Sequence, residues 1–587
     1  MSALFGCFGE VSEKQFSQMQ DALAHRGQSV ESSQAPGFAL GCWNSSWSSQ
    51  VSTGSGLLET QHGTIALAGF QTLGPTDRLV PLDEIAATLA SQQRPPSDLT
   101  GDFVIAFKSN DGRCYLVRDG AGARTIYFAQ WMKKLFFASE PKGIWSMSGF
   151  PRRVEPNSIA KYLAFSFVPG QATMLQDIDE LPPGHVLSGA ADATISDGTI
   201  SLDRYFRFEE VQKDETLLIE PQDAVNRFQE TFSKSVADRL ALIGNESPVV
   251  FLSGGLDSSI VAAELVRQTS KKVRTFSLHF GDRYPNELEY ARMVARKLGT
   301  EHEEVLIEPK NFVDNIRKMI WHLDDPIGDP ITMPNFELAR HVSDQTEFVF
   351  NGEGGDPCFG GPKNIPMMLL HWYGVKREPL FREKAYLASY RRAYEELDHL
   401  FTPWYKRKLD LDCLTQILTP FFECQCPKNY LDKLTAINIR LKGGHLILPK
   451  VERMLGASGV SPLSPLFSSE MIRLSYQIPS KMKLNRGIEK VVLKEAYRGL
   501  LPAEIINRPK SGMRVPVHFW FQGELKNYAK KILAPRKIKP AGIFDHKRVK
   551  QLLSYSIEEG KGRYGMRLWM LLTFEIWRRT VVEKRHW

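Results

Sequence analysis

The 587-residue chain lacks the signals of several protein classes. Its seven cysteines are odd in number and scattered, so they suggest no disulfide framework and favour a reducing compartment. Cys424-x-Cys426 has no second ligand pair at the spacing of a zinc site. No basic segment followed by an apolar stretch opens the chain, and no apolar run approaches the roughly 18 residues of a membrane span. We therefore expect a cytoplasmic protein without a membrane span.

The composition that remains is ordinary for a globular protein, with 42% hydrophobic and 24% charged residues. The length suits two or more domains of roughly 100–200 residues each. The net charge of +7 is spread over the whole chain. Such charge could attract an anionic nucleotide or an acidic peptide, although a solvated surface is the commoner reading. No nucleic-acid partner is expected.

The first part of the chain, residues 1–205, has short β-rich segments separated by turns. The predicted strands are bounded by Gly, Asp and Asn, and two predicted helices interrupt them. This pattern predicts a layered α+β domain, and the polar residues 206–222 that follow read as a linker. The predicted strands lie at 64–68, 103–107 and 114–117, and the predicted helices at 13–23 and 82–90.

The pattern changes over residues 223–587. Strands alternate with helices up to residue 350, which predicts a doubly wound parallel α/β sheet, and from about residue 365 the chain reads as mainly helical. The predicted strands lie at 249–252, 273–280, 304–307 and 347–350, and the helices at 225–240, 258–267 and 287–298. Near the C-terminus, helical spacing favours a core helix over a partner surface for Leu568, Leu571, Leu572, Phe574 and Ile576.

One segment between a strand and a helix carries the chemistry: Ser253-Gly254-Gly255-Leu256-Asp257-Ser258-Ser259. Glycines there allow a tight turn and close approach of the backbone to an anion, and the first N–H groups of the helix point at phosphate oxygens. The serine hydroxyls add donors. Asp257 would repel phosphate unless a cation lay between them, which implies Mg²⁺. This is not a Walker loop, because no Gly-Lys-Ser/Thr follows at the proper spacing.

The segment resembles the pyrophosphate-binding loop (PP-loop) of ATP pyrophosphatases, which leave AMP on their substrate. Other motifs along nearly the whole chain resemble the asparagine synthetase family. In the first part these are Phe5-Gly6, His25-Arg26-Gly27, Arg118-Asp119, Ala138-Ser139-Glu140 and Leu181-Pro182-Pro183-Gly184. In the second part they are Thr275-Phe276-Ser277-Leu278, Asn351-Gly352-Glu353-Gly354-Gly355-Asp356 and Arg508-Pro509-Lys510-Ser511-Gly512-Met513. The resemblance implies an Ntn-type, glutaminase-like domain followed by an ATP-dependent amide-forming domain.

The resemblance also implies roles for particular residues. Asp257 and Asp356 would hold Mg²⁺, Glu353 would accept a proton from the attacking amine, and Lys510 would stabilise charge as pyrophosphate leaves. The nucleoside would contact Leu252, Leu278, Asn351 and Gly352. The phosphates would contact Ser253, Gly254, Gly255, Asp257, Ser258 and Ser259.

The sequence departs from the glutamine-dependent members of that family. Those begin with Met-Cys and use the exposed cysteine as a nucleophile, whereas position 2 here is Ser2, and a hydroxyl is the poorer nucleophile near neutral pH. The glutamine-binding pattern Asn-Gly-Glu-x-Tyr-Asn is also missing. We therefore expect a degenerate glutaminase domain and an amine that comes from elsewhere.

Other segments resemble the lasso-peptide macrolactam synthetases of the same family. They are Gly354-Gly355-Asp356 with the tail Pro362-Lys363-Asn364, and the C-terminal Tyr564-Gly565-Met566-Arg567-Leu568-Trp569 and Glu575-Ile576-Trp577-Arg578. Asp356-Pro357 departs from the Asp-Glu of asparagine synthetases, and the residues after Gly361, which include Lys363 and Asn364, are candidates for a pocket wall. That branch implies a precursor peptide as substrate, with a leader-binding protein and a leader protease as further partners. Two other hypotheses stay open: a small-molecule synthetase that makes asparagine or a β-lactam, and a non-catalytic ATP-binding module.

Overall fold

The computed structural model describes residues 1–45, 55–74, 78–190, 200–208, 220–374, 378–389, 393–509, 512, 514–554 and 564–584. Within these, the first part forms two antiparallel six-stranded sheets, ordered β10-β8-β9-β1-β3-β2 and β12-β11-β7-β6-β5-β4. The strands are β1 (Ala3–Phe8), β2 (Ser29–Ala35), β3 (Phe38–Asn44), β4 (Gly56–Thr60), β5 (Gly63–Thr72), β6 (Thr100–Ser109), β7 (Arg113–Arg118), β8 (Tyr127–Trp131), β9 (Lys134–Ala138), β10 (Asp179–Glu180), β11 (His185–Ala190) and β12 (Ile200–Arg204).

The two sheets pack face to face and helices cover their outer faces. Leu4 of β1 and Leu116 of β7 belong to one buried cluster between the sheets. On the outer face of the second sheet, Ile105 packs with Ile85 of the helix Leu82–Gln92. Successive side chains of a strand point to opposite faces of its sheet, so one strand packs both against the other sheet and against a helix. This helix–sheet–sheet–helix arrangement confirms the layered α+β prediction. The described α-helices of this part are Glu13–Ala22, Leu82–Gln92, Pro141–Trp145 and Pro156–Phe165, and a 3-10 helix spans Ala24–Arg26.

The second part contains a parallel sheet of five strands, as far as the structure describes the chain. The strands are β13 (Val249–Phe251), β14 (Arg274–His279), β15 (Glu301–Leu306), β16 (Phe348–Phe350) and β17 (Ser461–Leu463), in the order β15-β14-β13-β16-β17. All four pairings are parallel. The order reverses direction between β13 and β16, which confirms the predicted doubly wound fold and marks the place where such sheets bind ligands.

One strand of the parallel sheet was not predicted. β17 lies within the part of the chain that the pattern assigned to helices, and it pairs in parallel with β16. It has only three residues, Ser-Pro-Leu, which is too short to show a periodicity, and proline is a poor strand residue. A short hairpin of β18 (Leu484–Asn485) and β19 (Ile488–Glu489) also lies there. The prediction of a mainly helical region after residue 365 is otherwise correct.

Helices surround the parallel sheet and fill the remainder of the second part. The α-helices are Pro221–Ile243, Leu256–Gln268, Leu288–Leu298, Pro309–Leu323, Thr332–Val342, Gly355–Phe359, Asn364–Tyr373, Phe381–Ser389, Leu397–Leu400, Pro403–Lys406, Cys413–Gln416, Thr419–Glu423, Tyr430–Ile437, Leu448–Gly456, Ser469–Gln477, Ser480–Lys483, Val491–Ala496, Ala503–Asn507, Val517–Trp520, Lys526–Ile532, Pro535–Ile538, His546–Leu553 and Tyr564–Trp577. The last of these is buried at all five of the apolar positions for which a core role was predicted.

The helix that we call the central helix runs from residue 430 to residue 456 between the two parts of the molecule. It consists of the α-helical segments Tyr430–Ile437 and Leu448–Gly456, joined by a π-helical segment, Asn438–Ile447. Its carbonyl at Gly444 accepts a hydrogen bond from Arg118 of β7 at 2.8 Å. His445 lies 2.9 Å from Glu180 of β10. The central helix therefore bonds directly to the sheets of the first part.

Two further properties agree with the composition. None of the described helices is both long enough and apolar enough to cross a membrane. All seven cysteines lie in described residues, and no disulfide joins them.

Candidate active site

The predicted phosphate-binding loop follows β13 and opens the helix Leu256–Gln268. Gly254 has φ of +73° and a Cβ there would lie 2.6 Å from the backbone nitrogen of Ala291, so both the conformation and the space require glycine. The backbone N–H of Ser253 donates to the hydroxyl of Ser258 at 3.1 Å. These contacts hold the loop in a tight turn at the start of a helix, where an anion is stabilised.

A second loop, after β16, lies against the first. A Cβ on Gly352 would lie 2.5 Å from the backbone nitrogen of Ser258, so glycine permits the two loops to touch. The side-chain oxygen of Asn351 accepts hydrogen bonds from the Glu353 N–H and from the Ser464 hydroxyl, each at 3.0 Å. Both loops leave the carboxyl ends of adjacent strands, β13 and β16, at the reversal point of the sheet.

These two loops form one wall of a cavity of about 330 Å³. Most of the sequence-predicted site residues line it, including the predicted catalytic Glu353: Leu252, Ser253, Asp257, Ser258, Leu278, Asn351, Gly352, Glu353 and Asp356. Three predicted ATP residues do not. Gly254 forms the turn described above, and Gly255 lines a small second pocket. The buried Ser259 donates its hydroxyl to the Gly255 carbonyl at 2.7 Å.

The two predicted metal carboxylates meet at a lysine that sequence reasoning missed. The Nζ of Lys490 lies 2.7 and 2.5 Å from the two carboxylate oxygens of Asp257, and 2.5 Å from Oδ1 of Asp356. Lys490 is buried and adopts φ of +54° at the start of the helix Val491–Ala496. A buried charge is stable only when it is paired, so the ammonium and the two carboxylates stabilise one another.

The convergence of Asp257 and Asp356 on one cation also fits Mg²⁺. A Cβ on Gly355 would lie 2.2 Å from Oδ1 of Asp257, so the chain leaves that carboxylate room only because the residue is glycine. Mg²⁺ is usually held by one or two carboxylates together with substrate phosphates. Asp257 and Asp356 would hold the ion, whose charge would neutralise the phosphates. Lys490 would then face the same phosphates as a compact cation.

Lys510 lies outside the described residues, so its assigned role stays a prediction. The segment that carries it reaches the PP-loop at Arg508, whose guanidinium donates to the Gly254 carbonyl at 3.4 Å. Arg508 is also ion-paired with Glu287 and lies over the ring of Tyr290 at 3.8 Å. Arg508 therefore links the end of the helix Ala503–Asn507 to the PP-loop.

The remaining lining of the cavity was not predicted, except for Lys363 and Asn364. The central helix contributes Lys442 and Lys450 together with apolar side chains, and Nζ of Lys450 lies 3.7 Å from a carboxylate oxygen of Asp329. The first part of the chain contributes Ser166, whose carbonyl accepts from the Gly328 N–H at 2.7 Å. Only tertiary contacts bring these residues to the PP-loop. The local sequence pattern of a helix does not show which of its residues will line a distant cavity. The apolar lining residues on this side are Phe165, Phe167, Leu446, Ile447, Val451 and Leu455.

The region around Ser2 is closely packed. Ser2 is 2% exposed, and its hydroxyl accepts a hydrogen bond from the Gly69 N–H at 2.8 Å. The side-chain amide of Gln71 bonds to both backbone groups of Val80, at 2.9 and 3.0 Å. The polar side chains of Ser2 and Gln71 are therefore both engaged in hydrogen bonds within the first part of the chain.

Known proteins resemble this chain along most of its length. A profile of the asparagine synthase family matches residues 227–579, and a profile described as a glutamine amidotransferase domain matches residues 91–206. Asparagine synthetase [glutamine-hydrolyzing] 1 of Bacillus subtilis is 26% identical over 84% of this chain and 80% of its own length. Asparagine synthetase [glutamine-hydrolyzing] 3 of the same species is 23% identical over 78% and 74%.

A plant relative is similar over a shorter stretch. Asparagine synthetase [glutamine-hydrolyzing] 3 of Arabidopsis thaliana is 34% identical over 144 residues, which is 22% of this chain and 24% of that protein. The asparagine synthase profile alone covers more than half of the chain. The protein therefore belongs to the asparagine synthase family, and it is an ATP-dependent ligase that forms an amide bond and releases AMP and pyrophosphate.

Proposed function

We propose that the protein is a macrolactam synthetase of the lasso-peptide type. Its substrate would be a ribosomal peptide whose Asp or Glu side chain is activated as an AMP ester and then joined to the peptide's own N-terminal amine. The observation that carries this proposal is that the first domain lacks the cysteine nucleophile of a glutaminase. Ser2 stands where a cysteine nucleophile is needed, and its hydroxyl is buried in a hydrogen bond to Gly69.

Without glutamine hydrolysis the protein needs another source of the attacking amine, and the substrate's own amine is such a source. Holding an amine and an acyl-adenylate in one enclosed site replaces the high free-ammonia concentration that a bimolecular reaction needs. A peptide α-amino group has a pKa near ~8, so a proton acceptor need only take up a weakly held proton. Glu353 lines the cavity beside the PP-loop and is our candidate for that acceptor.

The proposed reaction has two steps at the same cavity. In the first, a carboxylate oxygen of the peptide attacks the α-phosphorus of ATP, and the bond to the β-phosphate breaks. Lys490, together with Lys510 in the role that the family resemblance implies, would stabilise the charge on departing pyrophosphate. In the second, the amine nitrogen attacks the acyl carbon, AMP leaves with the bonding electrons, and Glu353 takes the proton of the amine.

A second candidate is a small-molecule amide synthetase of the asparagine or β-lactam type. Two observations favour it. The relatives that match most of the chain are named asparagine synthetases, and a cavity of about 330 Å³ is at the small end of the range for ligand pockets, roughly 300–1,000 Å³. ATP bound in the cavity would occupy much of that volume, so most of a peptide substrate would have to extend out of the cavity.

The test compares substrates with one preparation of enzyme, ATP and Mg²⁺. One reaction contains aspartate and an ammonium salt. The other contains a leaderless precursor peptide from the neighbouring genes, with an Asp or Glu side chain and an unblocked N-terminus. We expect AMP and a peptide that has lost one water, measured by mass spectrometry, only in the second reaction. Asp257→Asn serves as the inactive control. A peptide with an acetylated N-terminus should form no ring, because its amine is blocked.

Formation of asparagine, with neither AMP nor dehydrated peptide in the peptide reaction, would establish the second candidate instead. AMP formation in neither reaction, with ATP still bound, would point to another carboxylate substrate, such as the small-molecule precursor of a β-lactam.

A further inference from the structure

The helix Asn364–Tyr373 exposes a cluster of large apolar side chains. Leu369, Leu370, Trp372 and Tyr373 are 48%, 38%, 61% and 84% exposed; we call these four residues the apolar platform. Among the sixteen exposed large hydrophobic residues in the described parts of the chain, the platform and nearby Leu380 supply five within twelve consecutive positions. Clustered exposure of this kind marks an interaction site more often than isolated exposure does.

The opposite face of this helix is fixed to the molecule. Asn364 and Met367 are buried, and the side-chain oxygen of Asn364 accepts a hydrogen bond from Asn438 of the central helix at 3.0 Å. One turn beyond Met367, the ring of His371 stacks on Tyr430 of the central helix at 3.9 Å. The platform is therefore the outer face of a helix that packing holds in place.

The helix starts in the wall of the cavity. Lys363 and Asn364 line the cavity, and the platform begins five residues further along. At a rise of about 1.5 Å per residue, Tyr373 lies roughly 14 Å along the axis from Asn364. An extended peptide covers about 3.3 Å per residue. A chain of four or five residues would therefore reach from the cavity wall at Asn364 to the end of the platform.

We propose that the platform binds apolar side chains of the peptide substrate while its acidic side chain is in the cavity. This inference rests on the proposed function. An amino acid confined to the cavity could not reach the platform, whereas a peptide that leaves the cavity along this helix must cross it. The exposed Lys363 before the helix adds a positive charge to the cavity wall, which suits an acidic residue. The platform would thus select peptides with apolar residues a few positions from the acceptor.

The experiment uses two synthetic peptide libraries with an unblocked N-terminus and one Asp or Glu. Positions three to five residues to either side of the acidic residue are apolar and aromatic in one library and Ser, Gly or Gln in the other. AMP formation and loss of one water are measured for the wild type, for the double variant Leu369→Ser/Trp372→Ser, and for Trp404→Ser. Trp404 is a matched control because it is 49% exposed and does not line the cavity.

We expect the apolar library to be the better substrate of the wild type, and the double variant to raise its KM at least tenfold. The same variant should leave the KM for the polar library and for ATP unchanged, and Trp404→Ser should change neither. Equal KM values for the apolar library in the wild type and the double variant would overturn the inference while leaving the proposed function standing. AMP formation with free aspartate and with neither library would overturn both. Unchanged melting temperatures exclude misfolding, as expected for exposed positions.

Discussion

At the scale of single residues, Lys490 links the two carboxylates of the candidate site, because its ammonium contacts both Asp257 and Asp356. We predict that Lys490→Met lowers AMP formation by roughly a hundred- to a thousandfold, which corresponds to the loss of ~3–4 kcal/mol of charge stabilisation. Lys490→Arg should restore little, since a planar guanidinium does not replace a compact ammonium. Substrate-dependent exchange of pyrophosphate into ATP measures the effect.

Lys494→Met is the control for this variant. Lys494 lies one turn further along the same helix and pairs with Glu489 at 3.5 Å, so its loss should change the exchange rate by less than about threefold. An exchange rate of Lys490→Met near that of the wild type would contradict the assignment of Lys490.

Asp325 provides a residue-scale prediction about pH. Burial raises the pKa of this carboxyl from 3.8 to about 7, and one oxygen accepts a hydrogen bond from the Met174 N–H at 3.0 Å. The folded state therefore favours the protonated acid. Stabilisation is complete below the unfolded pKa, falls as pH rises between the two pKa values, and changes no further above about 7. Asp325→Asn should remove this contribution.

We expect the melting temperature of Asp325→Asn to fall less than that of the wild type from about pH 5 to pH 7, and to match or exceed it at neutral pH. Thermal melts followed by circular dichroism would show the difference. Asp314→Asn, at an exposed helical position, should keep the slope of the wild type. A slope that Asp325→Asn leaves unchanged would mean that the carboxyl is ionised in the folded protein.

At the scale of elements, the central helix joins the cavity to the first domain. Its π-helical segment contains Gly444, whose carbonyl accepts from Arg118 and whose Cβ, if present, would lie 2.4 Å from the ring of Pro183. Proline has no rotamer that could move its ring away. Single-turn π-bulges in α-helices are frequent at functional sites, and here a longer π segment includes Lys442, which lines the cavity.

We predict that Gly444→Ala costs about 1–3 kcal/mol, the usual penalty of overpacking, and also lowers activity, because the central helix carries one wall of the cavity. The melting temperature and the rate of AMP formation measure the two effects. Gly523→Ala is a suitable control, since a Cβ there would come no closer than 3.9 Å to another group. Equal melting temperatures for Gly444→Ala and the control would show that the contact with Pro183 can relax.

At the scale of the whole molecule, the two domains share one hydrophobic core. Phe5 of β1 and Trp569 of the C-terminal helix belong to the same buried cluster, and ion pairs such as Arg26 with Glu452 are buried between the domains. Breaking a buried pair leaves an uncompensated charge. The first domain is therefore part of the structure that carries the cavity, whatever its own chemistry.

We predict that this domain does not hydrolyse glutamine. Purified protein should release no more glutamate from glutamine than a boiled control, with or without ATP, because a buried serine hydroxyl is a poor nucleophile. Ser2→Ala should behave in the same way. Glutamate release that Ser2→Ala abolishes would show an active glutaminase and would remove the main support for an internal amine.

The sequence by itself determined the features that neighbouring residues encode. The strand, glycine turn and helix around Asp257 lie within one short segment, so composition and order specify them locally. The alternation of strands and helices likewise predicted the doubly wound sheet, although not β17, whose three residues form a strand only because β16 lies beside them. Asn351 and Asp356 were predicted from a second local motif.

Only the tertiary structure decided which distant residues meet at that loop. Lys490 is 233 positions from Asp257 and has no local pattern that marks it as a partner for two carboxylates. The far wall of the cavity comes from the central helix and from Ser166 of the first domain. Periodicity shows that a helix has a buried face, but which surface covers that face depends on how the whole chain packs.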